Sequence, residues 1–263
     1  MNGLNETVVI WSAECQRTLR STRVVALLGL YSLFSLLVFV VAAFLRSFVQ
    51  EMTQSGMMTV PGEGLPLSVV VVFFFSLFFL PLYVALMGFD QVSGEVGPRS
   101  IRYLTVRARR SSVLFGKLLA QATVLLSLVF VLDLGLCVYT WLTTPGFGPA
   151  DFGLHLLRFW LASTVFSFAF LSLTSLCSCL TTSSPVSLIL NLSVLLFSIV
   201  LWMTTLADEG NPLRYLRYLS PLMYSLDLLN PELQQAALSI VAYAVFTLLF
   251  LGSALTALRT RDL

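Results

Sequence analysis

Leu67-Ser68-Val69-Val70-Val71-Val72-Phe73-Phe74-Phe75-Ser76-Leu77-Phe78-Phe79-Leu80-Pro81-Leu82-Tyr83-Val84-Ala85-Leu86-Met87 runs without a single charged side chain. A helix rises about 1.5 Å per residue, so this stretch matches the roughly 30 Å hydrocarbon core of a bilayer. In lipid the backbone must satisfy its own hydrogen bonds, and a helix does so within one segment. The run therefore predicts a transmembrane helix over 67–87. Before it lies a polar stretch with Arg46, Glu51, Pro61 and Glu63, and after it the most charged segment of the chain, 89–117.

Five further runs repeat the pattern, at about 24–45, 118–142, 154–177, 186–206 and 236–257. The turn-rich Thr143-Thr144-Pro145-Gly146 separates the third span from the fourth, and Thr181-Thr182-Ser183-Ser184-Pro185 the fourth from the fifth. Over all 263 residues, 57% are hydrophobic and 11% charged, with 21 phenylalanines; the mean hydropathy is +0.91. A soluble domain carries roughly a quarter charged residues and has too little interior to hide this much apolar surface. The composition excludes soluble enzymes, nucleic-acid-binding domains, disulfide-rich secreted modules and disordered tails. The expected fold is an all-α polytopic membrane protein, a single transmembrane domain over 1–263. The first apolar run is long and follows arginines, so it reads as a retained anchor and not a cleaved leader.

Residues 5–23 predict an amphipathic helix ahead of the first span. Val8, Trp11, Cys15 and Leu19 share one stripe, with Glu14, Arg17, Arg20 and Arg23 on the other side. Such a helix lies flat at a membrane surface with its arginines toward phosphates and water; the alternative is a simple lead-in to the first span. Cytoplasmic segments retain Lys and Arg. With six spans, one side collects Arg17, Arg20, Arg23, Arg99, Arg102, Arg107, Arg109, Arg110, Lys117, Arg259 and Arg261. The other holds Arg46, Arg214 and Arg217, with Arg158 just inside the fourth span. Both termini and the 89–117 loop are expected in the cytoplasm.

The sequence holds no G-x-x-x-x-G-K-[ST] phosphate-binding loop. One histidine, His155, and no carboxylate pair beside a span leave no histidine-based metal cluster and argue against metal-assisted transferase chemistry. Cys137, Cys177 and Cys179 fall in apolar runs, where buried small hydrophobes are the simpler reading, and Cys15 sits in the amphipathic helix. Asn5-Glu6-Thr7 and Asn191-Leu192-Ser193 are chance glycosylation matches, one on the cytosolic side and one within a span. Asp133 is the one acid inside a span, and an intramembrane charge is a functional candidate by default. Arg158 is expected at similar depth on the antiparallel neighbour, which predicts an Asp133–Arg158 pair serving either helix packing or function.

The loop reads Phe89-Asp90-Gln91-Val92-Ser93-Gly94-Glu95-Val96-Gly97-Pro98-Arg99-Ser100-Ile101-Arg102-Tyr103-Leu104-Thr105-Val106-Arg107-Ala108-Arg109-Arg110, then Phe115-Gly116-Lys117. Gly97-Pro98 fits a turn and helix start, after which Ile101, Leu104 and Ala108 share a stripe. Two readings stand: a helix that presses into a cytoplasmic partner and transmits its motion, or a basic loop that only fixes topology. This pattern resembles ABC-2-type transporter permeases. Between spans two and three many of them carry an acidic residue, a Glu, a Gly, a basic helix R-x-L-x-x-x-P-x-x-R and a closing G-K-x-L. Asp90, Glu95 and Gly97 match the first part; Arg99, Leu104 and Arg109 or Arg110 match the helix, and Gly116-Lys117-Leu118-Leu119 the close. The family's proline is replaced within Val106-Arg107-Ala108. Glu14 and Arg20 resemble the family's surface helix, and Arg259-Thr260-Arg261-Asp262-Leu263 its common ending.

The resemblance implies a bacterial inner-membrane transport subunit that is not itself an enzyme and binds no cofactor, ATP and Mg being held by a separate ATP-binding cassette ATPase. Two permease chains, identical or related, would pair with two ATPase copies. The coupling contacts would be Glu14, Arg20, Asp90, Glu95, Gly97, Arg99, Arg102, Leu104, Arg109, Arg110 and Lys117. Related permeases serve antibiotic or lipid export, sodium extrusion, copper-site maturation and gliding, so the substrate stays open, as does an extracytoplasmic partner. The 208–235 segment, with Tyr215, Tyr218, Tyr224 and Pro221, suits short interfacial helices that gate an exit, contact an extracytoplasmic partner or simply pack over the dimer. The competing classes are a secondary transporter, which needs ion-coordinating groups near the midplane, and a non-transporting scaffold.

Overall fold

The structure, a computed structural model, describes residues 3–44, 67–96, 108–143, 147–204, 212–229 and 233–260. Within them the chain is helical: α1 (Gly3–Arg20), α2 (Thr22–Phe44), α3 (Leu67–Gly88), the single turn α4 (Ser93–Val96), α5 (Arg110–Thr143), α6 (Pro149–Leu180), α7 (Ser184–Met203) and α8 (Leu233–Thr260). Short 3-10 segments at Pro212–Leu219, Pro221–Tyr224 and Leu226–Leu229 join α7 to α8. Six helices are long and apolar enough to cross a membrane, matching the six expected spans. Three outrun the expectation. With 34 residues α5 is about 51 Å long, so it exceeds the hydrocarbon thickness by several turns. The Gly116-Lys117 element thus belongs to a helix, not a loop.

The hub is α6, which packs against α8, α5 and α3. Its inward face carries Phe159, Phe166 and Phe170 together with Ser167, Ser172, Ser175 and Ser178, all buried. Small hydroxyl residues let membrane helices approach closely where water gives no hydrophobic push. Phe159 stacks on Phe73 of α3 at 4.7 Å between ring centroids. Outward residues such as Leu33 of α2, Leu196 of α7 and Leu248 of α8 are exposed and apolar, as lipid-facing positions must be. Cys137, Cys177 and Cys179 are buried and form no disulfide.

The first helix forms where expected but turns a different face inward. It lies along the start of α5 through Thr7, Ile10, Trp11, Glu14, Cys15 and Thr18, whereas Val8 and Leu19 are more than half exposed. The cause is α5 itself. Gly116 opens a notch that Ile10 fills, and Lys117 and Thr123 offer polar partners that draw Glu14 and the Trp11 indole inward. The 3-10 segment between α7 and α8 is pinned twice: Ser220 Oγ donates to the Ser198 carbonyl at 2.8 Å, and Tyr243 Oη to that of Pro221 at 2.7 Å.

Candidate functional site

Charges gather at the end of the bundle where α1, the α3–α4 turn, the start of α5 and the end of α8 meet. Glycines make room for this. A Cβ on Gly88 would stand 2.8 Å from Thr174 Cγ2 and 2.9 Å from Gln121 Oε1, so α3 ends there against α5 and α6. Four residues on, α4 is too short to hold itself, and α6 anchors it. Ser178 Oγ accepts from the backbone amides of both Val92 and Ser93, at 2.9 and 3.0 Å, satisfying two of the amides a helix start leaves open. Ser175 Oγ donates to Gln91 Oε1 at 3.0 Å. This anchorage fixes Glu95.

Glu95 is the centre of an ion cluster. Lys117 Nζ lies 2.7 Å from Glu95 Oε1 and 2.7 Å from Glu14 Oε1, and the lysine side chain is 4% exposed. Arg17 Nη1 reaches the same Glu95 oxygen at 2.9 Å and Glu14 at 3.5 Å. Two acids thus meet two bases, which is the condition for burying such charges at all. Hydrogen bonding to Glu95, then the charge of Glu14, raises the Arg17 pKa further, so the group stays cationic. Next to this cluster Arg23 grips Asp90 with both fork nitrogens, each bond 2.8 Å, while its guanidinium sits 4.9 Å over the Phe89 ring. A polar cavity of about 280 Å³ opens between these groups, bordered by Glu14, Arg17, Arg23, Asp90, Glu95 and Lys117.

Two contacts extend the network. Glu6 Oε2 accepts from the Arg109 amide at 3.1 Å, tying α1 to the chain just before α5. Arg110 Nη1 donates to the carbonyls of Leu258 and Arg259 at 2.8 and 2.9 Å, placing a cation on the open C-terminal end of α8. Arg20 is exposed and has no ion pair among the described residues. Gly97, Arg99, Arg102 and Leu104 lie outside the described residues. Of the expected coupling residues, Glu14, Asp90, Glu95 and Lys117 converge, while at the rim the Arg109 amide meets the Glu6 carboxylate and the Arg110 side chain binds the end of α8. Sequence reasoning missed Arg17, Arg23, Glu6 and Ser178. The i,i+3 spacing of Glu14 and Arg17 was the available signal, because it puts both on one face.

The expected Asp133–Arg158 pair does not form among the described residues. Asp133 on α5 is buried and faces α2, α3 and Ser163 of α6, whereas Arg158 on α6 points outward and is exposed. The depth reasoning was sound but the rotation was not. Phe159 is the α6 residue turned into the core, and its neighbour Arg158 sits about 100° round the helix from it.

A family profile described as ABC-2 family transporter protein matches residues 8–263. No curated protein sequence matches the chain.

Proposed function

Because the chain belongs to the ABC-2 family of transporter proteins, we propose that its charged end is where a separate ATP-binding cassette ATPase docks and drives it. The chain is a transmembrane permease component of an ABC transporter. The observation that carries the coupling reading is the Glu14–Lys117–Glu95 triad. Three elements, α1, α4 and α5, meet in one buried ion cluster, so a push on either flank reaches the third element as a rigid shift. Arg17 leaves one flank solvent-accessible, and α4 with the start of α5 forms the other. Both are joined within a few residues to membrane spans. Two ATPases closing on ATP would move two permease chains, identical or related, between inward- and outward-facing states.

In this reading the termini and the 89–117 segment face the cytoplasm of a bacterial inner membrane, and the cycle exports substrate or acts on an extracytoplasmic partner. The basic-residue bias supports the orientation. The whole chain serves as one transmembrane domain, and ATP with Mg binds the ATPase alone. The test is co-purification with a cassette ATPase of the same organism. A stable complex whose ATP turnover falls several-fold on Glu95→Gln or Arg102→Ala is expected. A chain that binds no such ATPase, or variants that leave turnover unchanged, would overturn the assignment.

A further inference from the structure

Between α2, α3, α5 and α6 lies a mostly apolar cavity of about 320 Å³, separate from the charged end. That volume is in the range of small-ligand pockets, which pair apolar walls with a few convergent polar groups. Its walls include Phe39, Phe73, Leu77 and Leu136, and its one ionisable acid is Asp133, 4% exposed. Three of the neighbouring hydroxyls have partners: Tyr31 Oη donates to the Ser76 carbonyl at 3.2 Å, and Ser35 Oγ meets Ser76 Oγ at 3.3 Å. Among the described residues Asp133 Oδ2 has no hydrogen-bond partner, and no lysine, arginine or histidine lines the cavity. The mouth is bordered by Leu36 and Val131, both about 60% exposed on the apolar flank of the bundle, so it opens sideways toward lipid.

A carboxylate held in apolar surroundings is costly, and a donor or cation beside it relieves that cost. We propose that this cavity is a binding site for an amphipathic organic cation, whose ammonium group meets Asp133 while its apolar body fills the space toward Phe39 and Leu136. Sideways access suits a ligand that partitions into the membrane first. The inference deepens the transporter reading by naming a substrate class, and rests on that reading only for the step from binding to transport.

The test is equilibrium binding to the full chain in lipid nanodiscs without ATP, so that its failure leaves ATPase docking untouched and the converse. The probes are 1-adamantylammonium and its neutral isostere 1-adamantanol. The ammonium is expected to bind at least tenfold more tightly than the alcohol, and Asp133→Asn to abolish that preference. Gly135 also lines the cavity, and a Cβ there meets nothing within 4 Å. Gly135→Phe therefore fills the space with Asp133 intact, and it should weaken ammonium binding at least tenfold; it carries the test if Asp133→Asn fails to fold. Equal binding of ammonium and alcohol, no binding of either, or full binding by Gly135→Phe would each overturn the proposal. So would complete displacement by sodium chloride but not choline chloride, which would assign the carboxylate to a metal cation.

Discussion

Lys117 Nζ lies 2.7 Å from Glu95 Oε1 in a pair almost wholly removed from solvent, and Glu14 closes on the same ammonium from α1. Deleting Lys117 leaves two acids facing each other with only the exposed Arg17 beside them. Lys117→Met should therefore destabilise by about 3–5 kcal/mol, toward the lower end because Arg17 remains beside both acids. Adding Glu95→Gln to Lys117→Met removes half the stranded charge and should recover part of the loss. Thermal unfolding of the purified protein checks both. A single variant that melts with the wild type would mean that the triad is not buried in the working protein.

Gly116 tests the docking of α1 on α5. A Cβ there would fall 2.7 Å from Ile10 Cγ2, 2.9 Å from Ile10 Cβ and 3.2 Å from the Thr7 carbonyl oxygen. None of these is the loose end of a flexible chain, so α1 must shift outward. Overpacking of this kind costs about 1–3 kcal/mol, more than the helical gain of about 0.5–1 kcal/mol from replacing glycine. Gly116→Ala should speed tryptic cleavage at Arg17 and Arg20, and Ile10→Ala in the same chain should slow it again. Unchanged cleavage would contradict the close approach.

Arg23 and Asp90 differ from the buried triad because their side chains are 43% and 33% exposed. Pairs this wet contribute about 0–1 kcal/mol. Arg23→Lys should thus shift the melting temperature by no more than about 4 °C, yet lower ATP-coupled turnover by breaking the two-pronged grip that registers α2 on the α3–α4 turn. Raising salt from 0.1 to 1 M shortens the screening length from about 10 to 3 Å and should weaken the wild type toward the variant. Turnover of the variant equal to wild type at low salt would remove the pair from the coupling path.

The six spans were legible because hydrocarbon demands long apolar runs, and the charged end because so few charges were available to be placed elsewhere. Rotation was not legible. On α1, amphipathicity alone turns Val8 and Leu19 inward, but the notch at Gly116 and the ammonium of Lys117 sit on another helix and reverse the choice. On α6, Phe159 and Arg158 are adjacent, and a helix apolar nearly all round gives no phase by which to decide which one faces Asp133. The residues that anchor α4 share this difficulty, since Ser178 acts across 85 positions and looks in sequence like any small residue of a span. Local pattern reports what an element is; which face it shows depends on partners far along the chain.

The 3-10 segment between α7 and α8 offers a prediction that separates packing from gating. Tyr243 is buried, and its hydroxyl donates to the buried Pro221 carbonyl at 2.7 Å. Tyr243→Phe strands that carbonyl and should cost about 1–3 kcal/mol locally. Ser220→Ala breaks the second tether, to Ser198, and removes the side chain that accepts from the Leu222 amide at 3.3 Å. Because both tethers hold one short segment, their effects should be less than additive. Hydrogen exchange over 212–229 should rise in either variant while the spans stay protected. If export then changes in step with exchange, the segment gates the path; if exchange rises and export holds, the segment only packs over the bundle, since loosening a gate cannot leave the flux through it unaltered.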